Sequence, residues 1–95
     1  MSAYVIAEVE VTDPKAYEAY KAQTPGAIAK FGGRFIVRGG GNVVSLEGAA
    51  PNRVVVIEFP DKATAERFYH SPDYQEILRL RFATSTGRLF IVEGV

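Results

Sequence analysis

The stretch RVVVIEFPD, Arg53 to Asp61, decides the fold. Its β-branched run reads as a strand covered on both faces, and Pro60-Asp61 closes it and opens a helix. Moving back by 48 residues brings Asp61 onto Asp13, Phe59 onto Val11, Glu58 onto Glu10 and Ile57 onto Val9, while Glu66 and Phe68 fall on Glu18 and Tyr20. A strand, a cap and a helix therefore recur, and the chain divides into two half-units.

The earlier half-unit begins with alternation from Ala3 to Val11, with Val5, Ala7, Val9 and Val11 on one face and Tyr4, Ile6, Glu8 and Glu10 on the other. Thr12-Asp13-Pro14 supplies a cap acceptor and a proline suited to a first helical turn. Tyr17, Tyr20, Thr24, Ile28 and Phe31 then form an apolar stripe, in which Pro25 predicts a kink or a restart with Thr24 as second cap. Gly32-Gly33 ends that helix, RFIVR (Arg34 to Arg38) is a second strand, and Gly39-Gly40-Gly41-Asn42 has turn chemistry. Val43 to Leu46 is expected as a short edge piece.

Beyond Phe59, Ala65, Phe68 and Tyr69 mark a helix, and Ser71-Pro72-Asp73 starts another that carries Tyr74, Ile77, Leu78, Arg81 and Phe82. RLFIVEGV, Arg88 to Val95, is the last strand. The order βαββαβ predicts one α+β domain over residues 1–95, with a four-stranded antiparallel sheet and its helices on one face, the ferredoxin-like arrangement.

Composition agrees with a single small globular domain. The 95 residues are 47% apolar and 23% charged, and a chain of this size can bury roughly 64% of its open surface. Lys+Arg and Asp+Glu stand at 11 each, which offers no electrostatic footprint for nucleic acid or an anionic bilayer. The absence of Cys excludes disulfides, thiolate metal sites and a Cys nucleophile. With no leader pattern at Met1-Ser2-Ala3-Tyr4 and no apolar run of spanning length, the expectation is a soluble cytoplasmic protein.

Helices on one side of the sheet leave the other side bare. Parity puts Tyr4, Ile6, Glu8, Val54, Val56 and Glu58 on that open face, and the same reasoning, extended to the outer strands, adds Leu89, Ile91, Glu93, Arg34, Ile36 and Arg38. Such a surface is too apolar for a soluble monomer, so a homodimer closing face to face is expected.

The segments GGRFIVRGG (Gly32 to Gly40), LEG (Leu46 to Gly48), RVVVIEFP (Arg53 to Pro60), YHSPDYQ (Tyr69 to Gln75) and VEG (Val92 to Gly94) resemble the domain-of-unknown-function family numbered 1330 over essentially the whole chain. The resemblance implies membership of the dimeric α+β barrel superfamily, in which two sheets pair to enclose a barrel-like space. Relatives there include cofactor-independent monooxygenases, lactone isomerases and haem enzymes, and many proteins without known activity. Fold likeness does not transfer chemistry.

Candidate residues follow from the expected chamber. Glu8, Glu58 and Glu93 with Arg38 would bind a polar ligand or act as bases, or else form ion pairs that fix the dimer register. His70, at a helix end, is the only imidazole, and Glu58 and His70 are the candidate proton acceptors. Tyr74 is the tyrosine singled out for a pocket, although aromatic residues at helical spacing equally serve a core. Arg53 and Arg81 fit bidentate binding of an anion, or pairing with Asp73, Glu76 or Glu47. Ser71 is read as an N-cap, and the glycine run as a turn because it lacks the P-loop lysine. Neither a metal nor a cofactor is expected. Two functions compete: an enzyme or binder of a small organic molecule in the chamber between open face and partner, which predicts a roomy cavity, and a non-catalytic interaction module, which predicts a filled interior.

Overall fold

A computed structural model of the protein describes residues 1–39 and 42–95. Seven elements run in order: β1 Ala3–Val11, α1 Pro14–Lys30, β2 Arg34–Arg38, β3 Arg53–Phe59, α2 Lys62–His70, α3 Pro72–Thr84 and β4 Ser85–Glu93. The strands form one antiparallel sheet in the order β2-β3-β1-β4, so the half-units interleave as the ferredoxin-like reading requires.

Each helix starts where its cap chemistry predicts. Asp13 accepts the amide hydrogen of Ala16, Asp61 that of Thr64, and Ser71 that of Tyr74, so three otherwise unpaired amides are satisfied. The Ser71 hydroxyl also donates to the Phe68 carbonyl at 2.7 Å, which commits both its proton and a lone pair to joining α2 to α3. Val5, Ala7, Val9, Val55, Ile57 and Phe59 point from the sheet into the core, where they meet Tyr17, Ile28, Ala65, Phe68, Tyr74, Ile77 and Leu78. Phe68 links the layers, with ring centroids 5.0 Å from Phe59 and 4.5 Å from Tyr74.

Several expectations change. Pro25 does not restart α1, which runs unbroken from Pro14 to Lys30. Val43 to Leu46 is irregular rather than an edge strand, while the glycine turn falls partly on Gly40 and Gly41, outside the described residues. Phe82 lies outside the α3 stripe, 64% exposed. The last strand starts at Ser85, and its parity is reversed: Ile91 pairs with Val5 and Leu89 with Ala7, so both join the core, while Phe90 and Val92 take the open face beside Ile6 and Tyr4. Glu93, paired with Ala3, is on the helix side and exposed, away from Glu8 and Glu58.

In β2 the register shifts between Phe35 and Val37. A bulge there inserts a residue into the alternation, so Arg34 stays on the open face opposite Glu58 while Arg38, opposite Val55, turns to the helices. The open face thus carries Tyr4, Ile6, Val54, Val56, Phe90 and Val92, framed by two cross-strand ion pairs.

Candidate functional site

The bulge and the strand parity sort the candidate residues into two groups on opposite sides of the sheet. Glu8 and Glu58 occupy the open face, where each meets an arginine of its own chain. Arg88 donates to Glu8 through Nε and Nη2, both at 3.2 Å, and Arg34 Nε lies 2.8 Å from Glu58 Oε1, with the Tyr4 hydroxyl at 3.4 Å from Oε2. The Arg34 hydrogen bond holds the Glu58 carboxyl below its ordinary range, which makes it a poorer proton acceptor than an unpaired glutamate. His70 stands apart from both groups. It is exposed at the end of α2, its ring edge-on to Tyr69 at 5.2 Å, in a shallow groove with Glu66 beside β4.

Between sheet and helices the structure brings together Arg38, Arg53, Tyr74 and Arg81, which the sequence names without joining them. They line a cavity of about 30 Å³ with Tyr17, Tyr20 and Phe35. Arg53 reaches it because its partner across the ladder is Val9, on the helix face, and its guanidinium lies 5.8 Å from the Tyr17 ring. Arg81 reaches it from α3, three residues after Leu78 on the buried stripe, and is 5% exposed. The Nε atoms of both arginines are buried without a hydrogen-bond partner. Among the described residues no salt bridge engages Arg38, Arg53 or Arg81, and no carboxylate lines the cavity.

The polar centre is a tyrosine pair. Tyr20 of α1 and Tyr74 of α3 place their hydroxyl oxygens 2.7 Å apart. Burial drives both phenols upward from their ordinary ionisation range, Tyr20 the further, so both stay protonated at neutral pH. From the sequence Tyr20, like Tyr17 and Tyr69, is weighed for an aromatic pocket and assigned to the core because it sits on the apolar stripe of α1; the signal that marks it is a second tyrosine, on α3, that meets its hydroxyl.

The cavity opens beside Lys21, Arg38 and Arg53, which also line a surface groove of about 490 Å³ with Glu18 and Ala22. Within the cavity guanidiniums and phenols supply the donors, and the carboxylate of Glu18 lines only the outer groove, so the inner arrangement is complementary to an acceptor, above all an anionic one.

Among the described residues no helix is long and apolar enough to cross a membrane. No functionally curated protein matches the chain in sequence. Solved structures do share its fold. A protein of unknown function from Rhodopseudomonas palustris is 19% identical, with a TM-score of 0.80 over 99% of this chain and 82% of that one. A dimeric ferredoxin-like protein of unknown function from Jannaschia is 15% identical, with a TM-score of 0.78 over 99% of this chain and all of the other. SnoaB, a cofactor-independent oxygenase from Streptomyces nogalater, is 16% identical, with a TM-score of 0.72 over 99% of this chain and 93% of its own. At these identities the likeness establishes the ferredoxin-like fold and nothing of the chemistry. The family model for a domain of unknown function, DUF1330, matches residues 2–95, and the chain belongs to that family.

Proposed function

We propose that the protein is a homodimeric binder of a small organic anion, whose charged head enters the cavity between sheet and helices and whose body lies in the groove outside. The observation that carries this reading is the gathering of Arg38, Arg53 and Arg81 around one cavity without a carboxylate. Of the three, Arg81 is buried, Arg53 half-buried and Arg38 exposed; a buried cation without a counter-charge is costly in a low-dielectric interior, and an anionic ligand offsets that cost at Arg81. The Tyr20 and Tyr74 hydroxyls add donors, and the rings of Tyr17, Phe35 and Phe68 add apolar walls suited to a flat aromatic or unsaturated head.

Binding is favoured over acid–base catalysis because the two candidate proton acceptors lie elsewhere, Glu58 on the opposite sheet face and His70 at the end of α2. Glu8 and Glu58, neutralised by their own arginines, are better suited to the pairing of two sheets. The Jannaschia protein of the same fold is dimeric, which supports a dimer here.

Salicylate, an aromatic carboxylate, and its neutral amide test the anion reading. Followed by amide NMR, salicylate is expected to shift signals around Tyr20, Tyr74 and Arg81 and to bind at least about ten-fold more tightly than salicylamide, the worth of one charged hydrogen bond. Arg81→Met should erase that preference. Equal binding of acid and amide, or shifts confined to the opposite sheet face, would refute the assignment.

A further inference from the structure

Pro25 lies inside α1 and has no amide hydrogen, so the carbonyl four residues earlier, on Lys21, loses its helical donor. Two side chains take that place. Arg38 donates from Nη2 at 3.0 Å and Thr24 from Oγ1 at 3.4 Å. Arg38 comes from across the site: the β2 bulge turns it toward the helices, and its guanidinium lies 4.3 Å from the Phe35 ring centroid. Its span from β2 to α1 follows the line where the cavity meets the surface groove, since Arg38 lines both. A cavity of about 30 Å³ holds on the order of one or two water molecules, so any organic anion needs a part that moves aside.

We propose that Arg38 is the gate of the cavity, held across its mouth by the carbonyl that Pro25 leaves without a donor, and drawn away when an anion offers a stronger acceptor. The inference rests on the anion-binding reading and adds the part that admits the ligand. A guanidinium bonds a carboxylate more strongly than a neutral carbonyl, because both partners are then charged, and through two parallel hydrogen bonds where the geometry allows. The exchange therefore runs toward the ligand. Because the ring of Phe35 supports the guanidinium plane, the side chain swings along an apolar surface and its charge need not pass through the core. Pro25 is thus a functional element of α1: the missing hydrogen bond makes the catch.

Pro25→Ala tests the gate, because an alanine amide can close the helical bond to Lys21 and compete with Arg38 and Thr24 for that carbonyl. Side-chain nitrogen relaxation of the Arg38 Nε–H, measured before any ligand is added, is expected to show an ordered group in the parent protein. In Pro25→Ala it should be averaged like that of Arg79, which is exposed on α3. Salicylate should then associate faster and bind roughly five-fold more tightly, the value of one net hydrogen bond removed from competition. Arg38→Met supplies the second arm: it also opens the mouth, so association quickens, but affinity falls because a guanidinium is lost. If both proteins bind salicylate alike and Arg38 is equally ordered in each, the gate is wrong and the anion site stands. If neither protein binds salicylate, the anion reading itself fails and the gate falls with it.

Discussion

Tyr74 is 2% exposed, and its hydroxyl is tied to that of Tyr20, which has no other side-chain partner among the described residues. Burial is the main reason that both resist ionisation. Their effect on stability has a definite sign. Unfolded tyrosine ionises near pH 10, and a folded tyrosine whose pKa is raised keeps its proton beyond that point, so the native state binds more protons than the unfolded one as pH climbs. The stabilisation is complete below about pH 10 and is then lost, by at most about 1.4 kcal/mol per pH unit for each tyrosine. Urea unfolding from about pH 9 to about pH 11 should therefore show a steep fall that is shallower in Tyr74→Phe. At neutral pH the same variant should be weaker by about 1–2 kcal/mol, because it leaves the Tyr20 hydroxyl without its partner. Parallel pH curves for the two proteins would remove the phenol pair as their cause. Arg81 belongs beside this pair in the same sense: a stable core alone gives no reason to bury a guanidinium that has no carboxylate partner and an Nε without an acceptor, whereas a site for an acceptor does.

Among the elements, β1 is the hub, paired on one side with β3 and on the other with β4, and the β4 pairing leaves no room for a side chain at one position. Gly87 has φ of 154°, and a Cβ placed there would overlap the Glu8 carbonyl and lie 2.9 Å from the Val9 Cα. Both obstacles are backbone, so a rotamer change relieves neither. Gly87→Ala should destabilise the fold by roughly 2–4 kcal/mol and loosen the adjoining Arg88–Glu8 pair, as read by denaturant titration and amide exchange along β4. A change below about 0.5 kcal/mol would mean that β4 slides to accept the methyl at no cost.

What the sequence makes legible at this scale depends on how much each strand constrains itself. Strict alternation in β1 and the cap-then-proline pairs at Asp13-Pro14 and Ser71-Pro72 place their elements correctly. In β4, Leu89, Phe90, Ile91 and Val92 are all apolar, so a period of two gives no preference for either face, and only pairing with Val5 and Ala7 decides it. In RFIVR the three central residues are all apolar, so parity rests on the two arginines alone, and a bulge between Phe35 and Val37 reverses Arg38, because bulges answer to the partner strand. The site residues Arg38, Arg53, Tyr74 and Arg81 are therefore each visible in the sequence, while their meeting on the helix side of the sheet is not.

The whole molecule is a slab of 31 × 30 × 16 Å with helices on one broad side and the bare sheet on the other. With four strands of at most nine residues, that bare side is roughly 600 Å² or less, so it would form the centre of an interface to which each partner typically contributes ~800 Å². Its centre is apolar, with Ile6, Val54, Val56 and Phe90 on adjoining strands, and the charges nearest that centre are matched within the chain by Arg34–Glu58 and Arg88–Glu8, while Glu10 lies exposed toward the end of β1. Matched pairs can be covered by a second copy at far less cost than lone charges. Val56 is the sensitive point, since it stands on central β3 opposite Ile6, and its side chain plays no part in the core beneath. An arginine there would leave each protomer folded, because the side chain can reach water in the monomer, and would place an unpaired charge in the dry centre of the proposed face-to-face dimer. Removing that much association energy, about 3–5 kcal/mol per uncompensated charge and two such charges in a symmetric pair, should turn a micromolar sample of Val56→Arg from dimer to monomer in sedimentation, with an unchanged circular dichroism spectrum. Salicylate binding should survive in that monomer, because the cavity lies wholly on the helix side; a parent protein that already sediments as one copy, or a variant that stays paired, would show that the open face is not where two chains meet.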